Sequence, residues 1–481
     1  MAVNISSASP EIRERRLNSI ISFKGSASEL HEKSKTSSLK TELSCYGQCS
    51  DCQEFCANTL LTFIQDAAVV CHSPIGCYSP QAVRDNGGHA CARDRKLPEF
   101  KCETICTNIQ ERDTIYGGAE KLKKACFEAH KRANPTAIFI TTSCASGIVG
   151  DDIESAAVEV SDELGIPVIP VSCEGFKSRI WSTGFDAAFH AIAKHIVKPA
   201  KERKKDVVNV YNFQGSDVFT PLLAKLGLKV QYVVPMNTVP QLEKISEATC
   251  SATMCETLST YVITAFTQHF GVPEVKAAPP YGIKWTDEWL REIARLTEKS
   301  DIVEKVIEDE HKRIEEPLKL YRERFKGKTI YIIAGDSFTH NLASALTDLG
   351  LTVIGINALH HDQKTDSGNV DTLGTLIKTA GDIKNFTVCT KQPYRIVKEI
   401  KRLNPDFLIT RHEGLTILGY KLGIPSTFEG DANLSVGYDG LIRLGERLWE
   451  NYITRKFNKT IQEHSTLPYT DWWMNEEGES L

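Results

Sequence analysis

No stretch of this chain approaches the run of about 20 apolar residues needed to span a bilayer, and its start, MAVNISSASPEIRERR, lacks the apolar core of a secretory signal. The reading is a cytoplasmic chain with no membrane partner. A basic excess is missing too: 57 Lys and Arg stand against 62 Asp and Glu, and a net charge of −5 leaves no footprint for nucleic acid. No G-x-x-x-x-G-K-S/T loop is present, so nucleotide hydrolysis, where the function needs it, comes from another chain. Short-period repeats and low-complexity tracts are absent. Cysteine is plentiful, with 15 residues. In a reducing compartment that number argues against disulfides and towards metal, while several cysteines serve as small buried apolar residues.

A chain of 481 residues divides into about three domains by length. Residues 1–40 are polar and Ser/Lys-rich and resemble an arm that orders only against a partner. Beyond them, β-rich runs alternate with helical patterns. TAIFITTSC (136–144) precedes DDIESAAVEVSDELG, and IPVIPVSCEGF (166–176) precedes a segment ending in HAIAKHIV. That is the rhythm of parallel sheets buried on both faces. PAKERKKD (199–206) reads as a linker, VVNVYNFQGSD and KVQYVVPMN with the helical 252–270 as a second unit, and 308–328 as a connecting helix. TIYIIAGDSFTHN, LTVIGINALHH and PDFLITRHEG make a third. The expected divisions are an arm at 1–40, α/β domains at 41–205, 206–325 and 326–460, and a tail at 461–481.

Three cysteines fall where such a chain turns: Cys52 in SDCQEF, Cys77 in CHSPIGC and Cys144 in TTSCASGIVGDD. Thiolate is the ligand iron–sulfur clusters require, and a cluster shared between subunits is gripped by cysteines spread along a chain. Cys144 follows an apolar strand, where α/β domains bind their ligands, and Gly147 and Gly150 let the backbone pass close to a bulky group. A single strand-end cysteine is more often a buried spectator; three in turn contexts favour ligation. Cys45-x3-Cys49-x2-Cys52 also has the spacing of a radical S-adenosylmethionine site. Asp51 stands where that motif has an aromatic, no repeated barrel follows, and Cys77 and Cys144 go unexplained. Cys45, Cys49 and Cys56 are then either spare thiols beside the ligand Cys52 or have a role of their own, and the sequence leaves both readings open.

The order FIQDAAVVCHSPIGCYS, NIQERDTIYGGAEKL, TTSCASGIVGDDIES and VSCEGF resembles the α-type chain of nitrogenase component 1 and its relatives, over residues 40–460. The resemblance implies three Rossmann-like parallel-sheet α/β domains. It implies that Cys52, Cys77 and Cys144 hold one half of a P-cluster-type 8Fe–7S iron–sulfur cluster, the other half belonging to a β-type subunit in an α2β2 heterotetramer. It further implies an ATP-dependent homodimeric iron protein as electron donor. SATMCETLSTY followed by HFGVPE matches the segment that carries the single thiolate of the nitrogenase-type iron–sulfur active-site cofactor, which puts that role on Cys255 and not on Cys250. Taken alone, Cys255 would read as a core thiol.

The departures from nitrogenase are specific. GIPSTFEGDANLSVGYDG (423–440) has no histidine where the family binds the heterometal end of its cofactor, WSTGFDAAFH offers Phe185 and Asp186 where a histidine donates to a cofactor sulfide, and the flanking glutamine is Trp181. Positioned proton donors are what dinitrogen reduction needs. The expectation is therefore a nitrogenase-like reductase, of the kind that cleaves carbon–sulfur bonds of small methylthio-alkanes. The alternatives are the scaffold chain of cofactor assembly, a nitrogenase α chain and a tetrapyrrole-reducing relative. The separation of Cys52 from Cys77 resembles the scaffold chain, whereas TTSCASGIVGDDIES is closer to catalytic chains. His340, His360, His361 and His412 follow expected strands and could replace the missing ligand, although each is more often a satisfied histidine. Arg411 and Glu413 read as loop charges or as an electrostatic wall, and Trp472 and Trp473 as packing on a partner or on the parent domain.

Overall fold

The structure is a computed structural model. It describes residues 3–41, 52–78, 81–98, 102–211, 216–366, 370–389, 393–430, 433–470 and 472, with backbone alone for 81–87 and 393. The strands, in chain order, are β1 (Ser22–Gly25), β2 (Ala67–His72), β3 (Glu103–Cys106), β4 (Ala137–Thr142), β5 (Val168–Val171), β6 (Lys204–Tyr211), β7 (Lys229–Val233), β8 (Ala248–Thr253), β9 (Thr329–Ala334), β10 (Thr352–Ala358), β11 (Phe386–Cys389), β12 (Phe407–Thr410) and β13 (Ser426–Phe428). They form three sheets, ordered β3-β2-β4-β5, β7-β6-β8 and β1-β11-β10-β9-β12-β13. Every pairing is parallel except that of β1 with β11. AAVVCH and AIFITT are buried at every position, because helices cover both faces of the first sheet. The three parallel-sheet units anticipated from the sequence are thus present.

Three boundaries move. The connecting helix runs Ser300–Phe325, starting well before 308, since Val303 and Ile307 continue the buried stripe of Ile314, Leu318, Tyr321 and Phe325. The charged run at 199–206 is only partly a linker. Lys204 already belongs to β6, its exposed end carrying the charges. The helix Arg455–Glu463 runs across the expected start of the tail.

The expectation of a partner-dependent N-terminal arm is overturned. Residues 22–25 add β1 to the edge of the third sheet, with Ser22 opposite Cys389 and Gly25 opposite Phe386. The helix Ala27–Lys35, capped by Ser26 accepting from the Glu29 N–H, packs on the helix Thr372–Ala380. The anchor is ionic. Arg13 is wholly buried, donating from Nε to Asp186 Oδ2 at 2.7 Å, from Nη2 to Asp186 Oδ1 at 2.6 Å and to the Thr257 carbonyl at 2.6 Å, and from Nη1 to Asp362 at 3.2 Å. Arg16 bonds Asp186 and Asp366 and lies over the Tyr261 ring. Polar composition alone does not show this, because the acidic partners are at least 170 residues away in sequence.

Removing one member of a buried ion pair leaves its partner charged and unpaired, at a cost of about 3–5 kcal/mol. Arg13→Ala is therefore expected to lower the urea-unfolding free energy by about that amount and to open residues 3–41 to trypsin. Unchanged stability and protease resistance would show that the arm is held by something else.

Candidate functional site

In each sheet the chain order reverses at one place, between β2 and β4, between β6 and β8, and between β9 and β12. The crevice beyond the carboxyl ends of the strands at such a point is where α/β sheets bind ligands. All four sequence-predicted cysteines lie at these crevices.

At the first, Cys77 sits in the single turn Ile75–Tyr78 after β2, and Cys144 is the first residue of the helix Cys144–Val149 after β4. Cys52 caps the helix Gln53–Leu61. The turn at Gly175 brings two of them together: a Cβ placed there would lie 3.2 Å from Cys144 Sγ and 3.6 Å from Cys52 Sγ. Cys77 faces the same group. Partial desolvation, then Glu54, Cys52 and Cys144, push its thiol up to about 12. Cys77 and Cys144 are exposed and Cys52 half-buried, so the three rim an open face. Beneath it, His72 bonds Asp151 at 2.9 Å and Thr107 at 3.0 Å, Asp151 takes the Gly118 N–H at 2.7 Å, and Ser143 donates to the His72 carbonyl at 2.9 Å. Among the described residues no three Cys, His, Asp or Glu side chains close on a point as one metal ion requires; the thiols are spread around a larger space. Cys45 and Cys49 lie outside the described residues, and Cys56 is buried in the core.

Sequence reasoning missed Glu54. It is 3 % exposed, its Oε1 has no hydrogen-bond partner, and burial pushes its carboxyl up to about 8. Position next but one to Cys52 was the available signal.

The second crevice lies between the second and third sheets. Cys255 follows β8 and caps the helix Glu256–Phe270, with Sγ 3.4 Å from Ser337 Oγ. Burial raises its thiol, opposed by Ser337 and by the positive charge of Arg411. Cys250, by contrast, is inside β8 in the core. Facing Cys255 are the start of the helix Asp336–Asp348 after β9 and Arg411 after β12. Trp181 stands edge-on to Phe185 at 5.8 Å, to His360 at 5.6 Å and to His412 at 6.5 Å, and its ring comes within 4.0 Å of a Cβ placed on Gly335. Arg411 lies over the Phe338 ring and donates to the Glu429 carbonyl at 2.8 Å. Glu413 is exposed at the start of its helix.

The structure sorts the histidines. His361 uses both nitrogens, Nδ1 to Asp336 at 2.9 Å and Nε2 to Ser34 at 2.8 Å. His340 bonds Thr372 at 3.0 Å, and burial pushes it down to about 4. His412 occupies the N-cap position of the helix Glu413–Lys421, with its ring edge-on to Trp181. His360 is fully buried with neither nitrogen hydrogen-bonded, and burial holds it neutral. Trp181 Nε1 is likewise buried without a hydrogen bond. Asp186 is occupied by Arg13 and Arg16, and in the 423–440 stretch Glu429 is taken by Ser435 and Arg447. A buried thiol, an orphaned imidazole and an orphaned indole N–H suit a soft iron–sulfur group. Two cavities, of 530 and 1040 Å³, lie along the N-terminal arm and along the helices Ile283–Leu296 and Ser300–Phe325, and neither is lined by a cysteine.

The model of the family described as Nitrogenase component 1 type Oxidoreductase matches residues 52–452. This chain belongs to that family. It is 31% identical over 313 residues to the nitrogenase molybdenum-iron protein alpha chain of Methanosarcina barkeri, covering 62% of this chain and 58% of the relative. The alpha chain of Clostridium pasteurianum is 30% identical, covering 71% and 66%. The nitrogenase iron-molybdenum cofactor biosynthesis protein NifE of Methanococcus maripaludis is 26% identical over 448 residues, 90% of this chain and 88% of that one. The chain thus spans less than two thirds of the two alpha chains. A solved structure, Nitrogenase Cp1 at pH 5, superposes with a TM-score of 0.71 at 22% identity, over 90% of this chain and 92% of that chain. At that identity the likeness shows the fold. No helix among the described residues is long and apolar enough to cross a membrane.

The pair His361–Asp336 beside the crevice predicts a pH dependence. Against burial, Asp336 holds His361 above the ordinary 6.5, and His361 holds Asp336 well below the ordinary 3.8. The histidine's share of stability is complete below 6.5 and is lost as pH rises through its raised folded value; the aspartate's share is present above 3.8 and lost as pH falls. His361→Gln should accordingly cost more unfolding free energy near pH 6 than near pH 9, read by urea titration. An equal cost at both would show the pair to be uncharged.

Proposed function

We propose that the chain is the catalytic α-type subunit of a nitrogenase-like, ATP-dependent reductase that cleaves carbon–sulfur bonds of methylthio-alkanes. The observation that carries this reading is the Cys255 crevice, where a buried thiol stands beside Ser337 and Arg411 while Phe185, Asp186 and the stretch 423–440 offer no histidine. Cys52, Cys77 and Cys144 hold the chain's half of a P-cluster-type 8Fe–7S cluster. Their exposed rim is the face that meets a β-type subunit in an α2β2 assembly. Electrons come from an ATP-dependent iron protein, since this chain has no phosphate-binding loop.

Cys255 is the thiolate that holds the active-site cofactor, a group that supplies low-potential electrons when bound. Around it, Trp181, Phe185 and Phe338 exclude water, Ser337 orients the thiol while taking the Thr257 N–H at 3.1 Å, and Arg411 places a fixed positive charge towards an anionic cofactor. The substrate's carbon–sulfur bond breaks as two electrons and two protons enter, yielding thiol and alkane. The second reading is a scaffold for cofactor assembly, supported by the similarity to NifE along most of both chains.

Substitution separates the ligands from their neighbours. Alanine at Cys52, Cys77 or Cys144 is expected to lower iron content and weaken association with the β-type chain. Cys255→Ala should keep that iron but lose the cofactor and all reduction, whereas Cys250→Ala should be mild. The reverse ranking of Cys255 and Cys250 would refute the assignment.

Turnover separates the two readings. The purified complex, with its iron protein, ATP and reductant, is expected to convert ethyl methyl sulfide to thiol and alkane over many cycles, with little ammonia from dinitrogen. A complex that only passes its cofactor to an apo-enzyme is a scaffold.

A further inference from the structure

His360 is the one buried histidine among those beside the crevice whose ring nitrogens both go without a hydrogen bond. A neutral imidazole carries one N–H and one lone pair, and burying both unpartnered is unfavourable. Such a group calls for an explanation. Its nearest opposite charge, Asp362, is 3.9 Å from Nε2, too far for a hydrogen bond, and is already bound to Arg13 and Ser19.

The backbone holds His360 firmly in place. Ala358 of β10 pairs with Ala334 of β9, and the Leu359 N–H donates to the Ala334 carbonyl at 3.0 Å. His360, two residues past β10, therefore lies at the strand end next to that of β9, where the helix Asp336–Asp348 begins, and Cys255 Sγ is 3.4 Å from Ser337 Oγ in the first turn of that helix. Trp181 stands edge-on to the imidazole at 5.6 Å and 4.0 Å from a Cβ placed on Gly335, the N-cap of the same helix, and its own Nε1 is also without a hydrogen bond. Three orphaned or soft groups, the Cys255 thiol, the His360 imidazole and the Trp181 indole N–H, thus gather about one helix start.

We propose that His360 is a protein ligand, through one ring nitrogen, of the same iron–sulfur group that Cys255 holds. The inference rests on the reading of Cys255 given under Proposed function. It assigns the histidine role to β10, whereas the 423–440 stretch has its buried carboxylate Glu429 committed to Ser435 and Arg447. His361, adjacent in sequence, is committed to Asp336 and Ser34 and cannot take the role without breaking both bonds.

The test is spectroscopic and uses the complex purified with its partner chain, with and without 15N-histidine. Pulsed EPR of the reduced complex should show a histidine nitrogen coupled to the cofactor centre, its frequency shifting with the isotope. His360→Gln should abolish that coupling and lower retained cofactor iron about tenfold, while the relay-cluster signal that depends on Cys52, Cys77 and Cys144 stays unchanged. His412→Gln should keep the coupling. Absence of histidine coupling in the parent complex, or its survival in His360→Gln, overturns the proposal. Should His360→Gln not assemble, loss of the coupling in His412→Gln overturns it, and its persistence there in a labelled complex supports it. A cofactor signal that survives Cys255→Ala is a different failure: it removes the Cys255 reading itself.

Discussion

One buried carboxylate, Asp186, is shared by two arginines, and much of the molecule is organised around that sharing. Asp186 belongs to the helix Thr183–His195 behind the first sheet, and Arg13 and Arg16 come from the N-terminal segment. The same guanidinium groups reach the Thr257 carbonyl on the helix after β8, Asp362 after β10, and Asp366. Each of these charges would be costly to bury alone. Together they tie elements that follow each of the three sheets to one another through the N-terminal arm.

The two candidate sites use the same geometric device under opposite electrostatic conditions. Parallel strands deliver their carboxyl ends, and the helix starts that follow them, to one side, so Cys144 and Cys255 both stand beside helix N-termini. Cys144 and Cys77 are left exposed. Cys255 is enclosed by aromatic rings and faced by Arg411, which offsets part of the cost of a buried thiolate. Enclosure also explains why hydrogen-bond orphans gather there. His360 and Trp181 are removed from water without a protein partner.

Several strands could be read directly from the residues. AIFITT, VIPV, KVQYV and TIYIIA are short apolar β-branched runs with turn signals after them, which buried parallel strands require. β1, β3 and β13 were not legible in the same way. They are three or four residues long, and SFKG and ETIC carry no apolar run; they exist as strands because a neighbouring edge accepts them. The arm was misread for the same reason. Arg13 and Arg16 look like solvated charges until Asp186, Asp362 and Asp366 are brought to them.

For the site, local turn context in the sequence singled out Cys52, Cys77 and Cys144 as candidates, whereas Cys255 was singled out only by the family resemblance of its segment. The sequence by itself also determined what is missing, the histidines near Phe185 and in 423–440. It could not rank His340, His360, His361 and His412, since all four follow strands and differ only in what packs against them. Tertiary structure alone decided that Asp336 and Ser34 consume His361, that Thr372 holds His340, and that His360 is left with open nitrogens beside Trp181. The physical reason is that hydrogen-bond satisfaction of a buried side chain is set by residues distant in sequence, whereas the position of a strand end is set by its own few residues.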